Sequence, residues 1–183
     1  MKKIYFETPR LILRTLSPLY ANKTLSFYEN NKYFLEKYEP LRQSYFYTKQ
    51  HQKQLLKWDQ DCFYRSSLVR LWIFTKEDPS TPIGTIAISN ITRGVFQSCF
   101  LGYKIASDHS RQGYMSEALF KMIEFAFSEL KLHRIEANIM PRNLASLQLV
   151  KKFGFKEEGL ARKYLKINGV WEDHVHMVLL NEL

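Results

Sequence analysis

The sequence predicts an α/β domain in which a meander of antiparallel strands gives way to alternating strands and helices. Three observations predict it. Residues 68–106 hold three runs rich in β-branched, aromatic and aliphatic residues, the first two separated by the turn "EDPSTP" (77–82). After Gly113, the polar residues Glu117, Lys121, Glu124, Ser128 and Lys131 recur three to four apart, which is the spacing of one face of a helix. A strand-like run, a helix-like run and a hairpin centred on Asn168-Gly169 then complete the chain.

In order along the chain, "RLILRTL" (10–16) is the first strand. Two helices are expected next, over roughly 18–35 and roughly 48–61. The meander follows: "LVRLWIFTK" (68–76), "IGTIAISNI" (83–91) and "SCFLGYKIA" (98–106). The polar stripe of the helix after Gly113 is narrow, so that helix packs closely on a sheet. "HRIEANIM" (133–140) reads as a strand and "LASLQLVKKF" (144–153) as a helix, with Asn143 as its N-cap and Gly154 just past its end. "FKEEGLARKYLKI" and "VWEDHVHMVLL" are the arms of the closing hairpin. The strand–helix–strand unit 98–140 makes a right-handed crossover if its strands share a sheet. No repeat, linker or low-complexity segment interrupts the chain.

At 183 residues with 45% hydrophobic content, the chain has enough material for one buried core and too little for two, so residues 1–183 are expected to form a single domain. No apolar run has the length of a signal peptide or a membrane span, and a soluble, cytoplasmic protein is expected. Cys62 and Cys99 lack metal-ligand spacing and read as buried or half-buried thiols of a reducing compartment. The formal charge of +9 points to an anionic partner: a phosphorylated cofactor, nucleic acid, or both. The Lys and Arg residues are dispersed, which favours a generally positive surface over a basic tail.

A strand ending near Ala106, a polar loop and a helix starting at Gly113 form the geometry of an anion site, where free N–H groups and the positive end of the helix dipole converge. Gly113 lacks a Cβ, so a phosphate can approach its backbone closely, with Arg111 and Gln112 as further donors. Neither G-x-x-x-x-G-K-[ST] nor G-x-G-x-x-G is present, which disfavours a nucleoside-triphosphate or dinucleotide site. His174 and His176 share a strand face without a suitably spaced third ligand, so no metal is expected.

"HSRQGYMSEAL" (109–119) resembles the coenzyme A pyrophosphate loop of the GNAT N-acetyltransferases, in the variant form G-Y/L-M-x-E-A-L of the ribosomal-protein branch. It departs from the general pattern Gln/Arg-x-x-Gly-x-Gly/Ala at Ser110 and Met115. "TPRLILR", "NKYFLEKYEPLR", "SNITRGVFQSCFLGYKI", "HRIEANIMPRN", "GFKEEG" and "YLKINGVWEDHV" agree with the family in order and extend the resemblance over most of the chain.

The resemblance implies a mixed, strongly twisted sheet of about seven strands flanked by helices, with the fourth and fifth strands parallel and splayed around a pantetheine arm. It also implies a bulge in the fourth strand, for which Gly102 is the easiest position. Acetyl-CoA is then the cosubstrate, held by Leu101, Tyr103, Lys104 and Ile105 on the strand, by Arg111, Gln112, Gly113, Tyr114, Met115 and Ser116 in the loop, and by Asn143 and Ser146. The implied acceptor is the N-terminal alanine of a small-subunit ribosomal protein.

The tyrosine that many members place seven residues after the helix-capping Asn is Val150 here. Ser146 fits the alternative proton donor to the thiolate, and equally a first-turn serine bonding local backbone. Asn143 is a site residue or simply a cap. Glu39, Tyr164 and Asp173 are base candidates, each also readable as structural. Two other readings stay open: acetylation of a small amine or antibiotic, and a basic ribosome- or ribosomal-RNA-associated factor with little turnover, favoured by the +9 charge and by Val150.

Overall fold

A computed structural model describes residues 4–182. One mixed sheet of eight strands runs through it, in the order β1-β2-β3-β4-β5-β6-β8-β7. The strands are β1 (Tyr5–Glu7), β2 (Leu11–Arg14), β3 (Leu68–Thr75), β4 (Gly84–Thr92), β5 (Ser98–Ile105), β6 (Arg134–Ile139), β7 (Lys156–Ile167) and β8 (Val170–Leu180). Helices α1 (Ala21–Asn30), α2 (Lys32–Leu35) and α3 (Lys49–Tyr64) lie between β2 and β3. Helix α4 (Tyr114–Glu124), extended by a π-helical turn over Phe125–Glu129, joins β5 to β6, and α5 (Leu144–Lys152) joins β6 to β7.

The sheet is covered on both faces. Alternate residues of β3 enter different cores: Leu71 and Ile73 join Leu119 and Met122 of α4, whereas Trp72 and Phe74 join Phe27, Tyr28, Phe46 and Leu56. Burial on both sides explains why "LVRLWIFTK" reads as an almost continuous apolar run. The polar positions of β6, in contrast, alternate with Ile135, Ala137 and Ile139, which face the α4 core.

The strands expected from sequence and the helix over roughly 48–61 form, but the expected helix over roughly 18–35 divides into α1 and α2 at Asn31, whose ψ of 10° breaks the helical path. Strand β1 was not foreseen, because three residues are too few to show a period. Its pairing with β2 makes eight strands where about seven were expected. The bulge lies elsewhere than at Gly102, which stays in register opposite Ala87. The extra residue is in β4, between Ser89 and Thr92, where Asn90 adopts φ +48°. Asparagine enters the left-handed region more readily than most side chains, so the bulge needs no glycine.

β5 and β6 are parallel and pair at only three positions, Ser98↔Arg134, Cys99↔Ile135 and Phe100↔Glu136. Beyond them β5 continues along β4 to Ile105 while β6 continues along β8 to Ile139. The two strands therefore part in the middle of the sheet. Cys62 is half-buried and Cys99 buried, both as free thiols, and burial pushes the Cys99 thiol up to about 12.

Candidate active site

The loop after β5 ends at Gly113, whose φ of +83° is left-handed and favours glycine. Helix α4 starts immediately after it. The N–H groups of Tyr114, Met115 and Ser116 precede the first helical hydrogen bond, which Glu117 N–H donates to Gly113 O at 3.1 Å, and no side chain caps them. Arg111 is also left-handed, at φ +60°, and exposed, as is Gln112, whose amide donates to Asp108 O at 2.6 Å.

Sequence reasoning missed Arg10, which lies about a hundred residues earlier in the chain. Its Nε stands 2.8 Å from Glu117 Oε2, its Nη1 donates to Gln112 O at 3.0 Å, and its guanidinium covers the Tyr114 ring at 4.6 Å. A Cβ on Gly113 would lie 3.2 Å from Arg10 Nη2. Burial alone would raise the Glu117 pKa, but hydrogen bonds from Thr8 and Arg10 outweigh it and hold the carboxylate ionised. Glu117 thus fixes a guanidinium beside the helix N-terminus. The only sequence signal was the pair of quoted motifs, "TPRLILR" and "GYMSEAL", which the fold brings together.

The parting of β5 and β6 carries side chains on both faces. Tyr103 points to the α5 side, where its hydroxyl is 2.6 Å from Ser146 Oγ in the first turn of α5. This contact spans the opening. Burial pushes the Tyr103 phenol up to about 12, against a smaller lowering from Ser146, so it stays protonated near neutral pH. Asn143 caps α5, accepting from Ser146 N–H at 3.3 Å, and so sets the position of Ser146. Val150 is fully buried in the core.

Lys104, the next residue of β5, points to the opposite face. Its ammonium bonds the Glu39 carboxylate, which Arg42 also approaches, with Nη2 at 3.4 Å. Burial would raise the Glu39 pKa, but Lys104 and then Arg42 reverse this and hold it below the usual carboxylate value. Asn168, at the tip of the β7–β8 hairpin, donates its N–H to Glu39 O at 2.8 Å. Glu39, Arg42 and Asn168 border a cleft lined also by Tyr28, Leu35, Tyr47 and Pro40. Tyr164 sits on the same side of the sheet, its ring 5.0 Å from that of His176 and 5.8 Å from that of His174. Asp173 accepts from Lys163 N–H at 2.7 Å, bracing the irregular part of β7. Among the described residues, no group of three or more His, Cys, Asp or Glu side chains is placed to hold a metal ion.

Uncapped N–H groups with a fixed guanidinium fit a pyrophosphate, and the opening between β5 and β6 fits a thin, partly polar arm ending beside Ser146. The residues present therefore match the chemistry of a coenzyme A thioester. No helix among the described residues is long and apolar enough to cross a membrane.

Comparison with known proteins agrees with this geometry. The chain is 39% identical over 171 residues to the probable N-acetyltransferase YjcK of Bacillus subtilis, covering 93% of this chain and 94% of that one. The ribosomal-protein-S5-alanine acetyltransferase of Vibrio fischeri superimposes with a TM-score of 0.92 at 32% identity, over 98% of this chain and 97% of that one. Mycobacterium smegmatis RimJ, solved in complex with CoA-disulfide, does so at 0.88 and 25% identity, over 94% of this chain and 82% of its own. The pattern of the acetyltransferase (GNAT) domain matches residues 10–156. With its splayed parallel pair and its loop-to-helix anion site, the chain belongs to the GNAT acetyltransferases, uses acetyl-CoA, and is closely related to the ribosomal-protein alanine acetyltransferases.

Proposed function

We propose that the acceptor is the α-amino group of a small-subunit ribosomal protein that begins with alanine, acetylated in the cytoplasm by residues 1–183 acting as one domain. The observation that carries this reading is the state of Glu39. Ion-paired to Lys104 and Arg42, it is a weak base, so the acceptor amine has to supply its own neutral fraction. A peptide α-amine, with a reference pKa of about 8, meets that need far better than a lysine at about 10.4. The preference for alanine rests on the likeness to the S5-alanine enzyme of Vibrio fischeri.

Acetyl-CoA supplies the acetyl group as an activated thioester. Arg10, Gly113, Tyr114, Met115 and Ser116, with Arg111 and Gln112 at the loop's rim, hold the pyrophosphate. Leu101 to Ile105 line the pantetheine arm, and backbone N–H groups near Tyr103 and Lys104 stabilise charge on the thioester oxygen. As the N–C bond forms and the C–S bond breaks, the amine loses a proton and the sulfur gains one. Ser146 donates that proton while Tyr103, hydrogen-bonded to it, passes its own to Ser146, and the proton released by the amine goes to solvent, from which the phenol is reprotonated. The phenol displaced from position 150 is thereby supplied by the facing strand.

Mass spectrometry of peptides that differ in their first residue, incubated with acetyl-CoA, tests the acceptor. Acetylation of an alanine peptide, and none of an α-blocked peptide with a free lysine, is expected. Preferential modification of small amines over every peptide would replace this reading with the small-amine one.

A further inference from the structure

The face of the sheet that carries Lys104 also holds two buried hydrogen-bonding atoms without partners, Asn138 Oδ1 and His176 Nε2. They are cross-strand neighbours, since Asn138 of β6 is in register with His176 of β8. Buried polar atoms are nearly always paired, so two unpaired ones side by side mark a place where a ligand or solvent donor belongs. Asn138 lies two residues beyond Glu136, the last residue of β6 to pair with β5. On β5, the residue two beyond the last pair is Gly102, on the same face by strand alternation.

Gly102 is exposed although its strand is in the middle of an eight-stranded sheet, and a Cβ built on it would meet nothing within 4 Å. The bare strand, the two unpaired atoms and the Tyr164 ring against His176 therefore lie together on one face of the sheet, the two acceptors covered and Gly102 open. Tyr103 and Ser146 lie on the other face of the same opening.

We propose that Asn138 Oδ1 and His176 Nε2 are the binding site for the acceptor's primary amino group, with Gly102 leaving room for its Cα and first side chain. This rests on the acetyl-transfer reading above and names residues for its acceptor half. A neutral primary amine has two N–H donors and one lone pair. The amide oxygen accepts one N–H, and Nε2, an acceptor in the Nδ1–H tautomer of imidazole, accepts the other. The lone pair is then the only part of the nitrogen left free, and it faces the opening through which the thioester is reached. Such a site favours primary over secondary amines, because a secondary amine has one N–H donor fewer.

The test uses the full chain loaded with CoA, and titrates an alanine-initiated peptide by calorimetry alongside peptide and acetyl-CoA KM values. Asn138→Leu and His176→Leu, which remove an acceptor, are expected to weaken peptide binding about tenfold or more and leave CoA affinity unchanged. Asn138→Asp and His176→Gln, which keep an acceptor, should stay within about threefold of the wild type on the same argument. An N-methylalanine peptide, with one N–H fewer, should bind the wild type as poorly as alanine binds the Leu variants. Peptide affinity unaltered in both Leu variants, with CoA affinity intact, overturns the proposal. If the wild type prefers a small primary amine to every peptide, the peptide reading falls, and the same four variants titrated with that amine decide the cradle separately.

Discussion

Gly113→Asp is expected to remove coenzyme A binding while the protein stays folded. The left-handed φ of +83° costs a non-glycine residue about 1–2 kcal/mol. A carboxylate at a helix N-terminus returns about 0.3–1 kcal/mol, so the net loss is a small part of the roughly 5–15 kcal/mol that holds a domain together. The new Cβ would stand 3.2 Å from Arg10 Nη2, and the carboxylate could take that guanidinium for itself. The ligand then loses Arg10 and close contact with the helix N–H groups. At about 1.5–3 kcal/mol for each charge-assisted hydrogen bond, losing two weakens binding by roughly two to four orders of magnitude. Calorimetric titration with CoA measures this directly, and Gly113→Ala separates strain from charge. CoA affinity within threefold of wild type in the Asp variant would refute the placement of the pyrophosphate at α4.

Three further outcomes follow from the site. Tyr103→Phe should lower kcat by about tenfold or more with little change in the acetyl-CoA KM, and add almost nothing to Ser146→Ala if the two hydroxyls act as one relay; additive losses in kcat would separate them. Glu39 has its pKa lowered from 4.5 in the folded state, so its ion pairs stabilise the protein above that pH and the benefit is lost as pH falls through the folded value. Thermal unfolding of Glu39→Gln should therefore begin from a lower Tm at neutral pH and show a weaker acid dependence than the wild type, and parallel curves would contradict this. If the +9 charge docks the enzyme on ribosomal RNA, activity on assembled particles should fall more steeply with salt than activity on a short neutral peptide, and equal slopes would remove the docking idea.

The strands from β2 to β8, the α4 and α5 helices and the Gly113 loop were legible because each is signalled locally. Periodicity fixes an element's type, Asn143 and Gly154 bracket α5, and Asn168-Gly169 sets the final hairpin. What escaped were the side-chain contacts that depend on long-range pairing. Arg10 and Glu117 are 107 residues apart, Tyr103 and Ser146 are 43 apart, and Asn138 meets His176 only through strand register. The Gly102 bulge was misplaced for a related reason. A glycine in a strand signals either a bulge or a close approach, and the local sequence holds no information to choose between them.

The division of labour in the opening depends on a single register. Along β5, Tyr103 reaches Ser146 on the α5 side, whereas Gly102 and Lys104 face Asn138, His176 and Glu39 on the other. A slip of one residue would exchange these faces, turning the phenol toward the acceptor and the ammonium toward the thioester. The extra residue of β4 at Asn90 lies just before this stretch, opposite the β5 segment that pairs with β6. Past the bulge, the ladder from Ser89↔Phe100 to Gly84↔Ile105 is unbroken, so the alternation of β5 is held by β4 alone where β6 has left it. The irregularity that the family resemblance implied for β5 is thus carried by its neighbour, which keeps Gly102, Tyr103 and Lys104 in regular alternation across the gap.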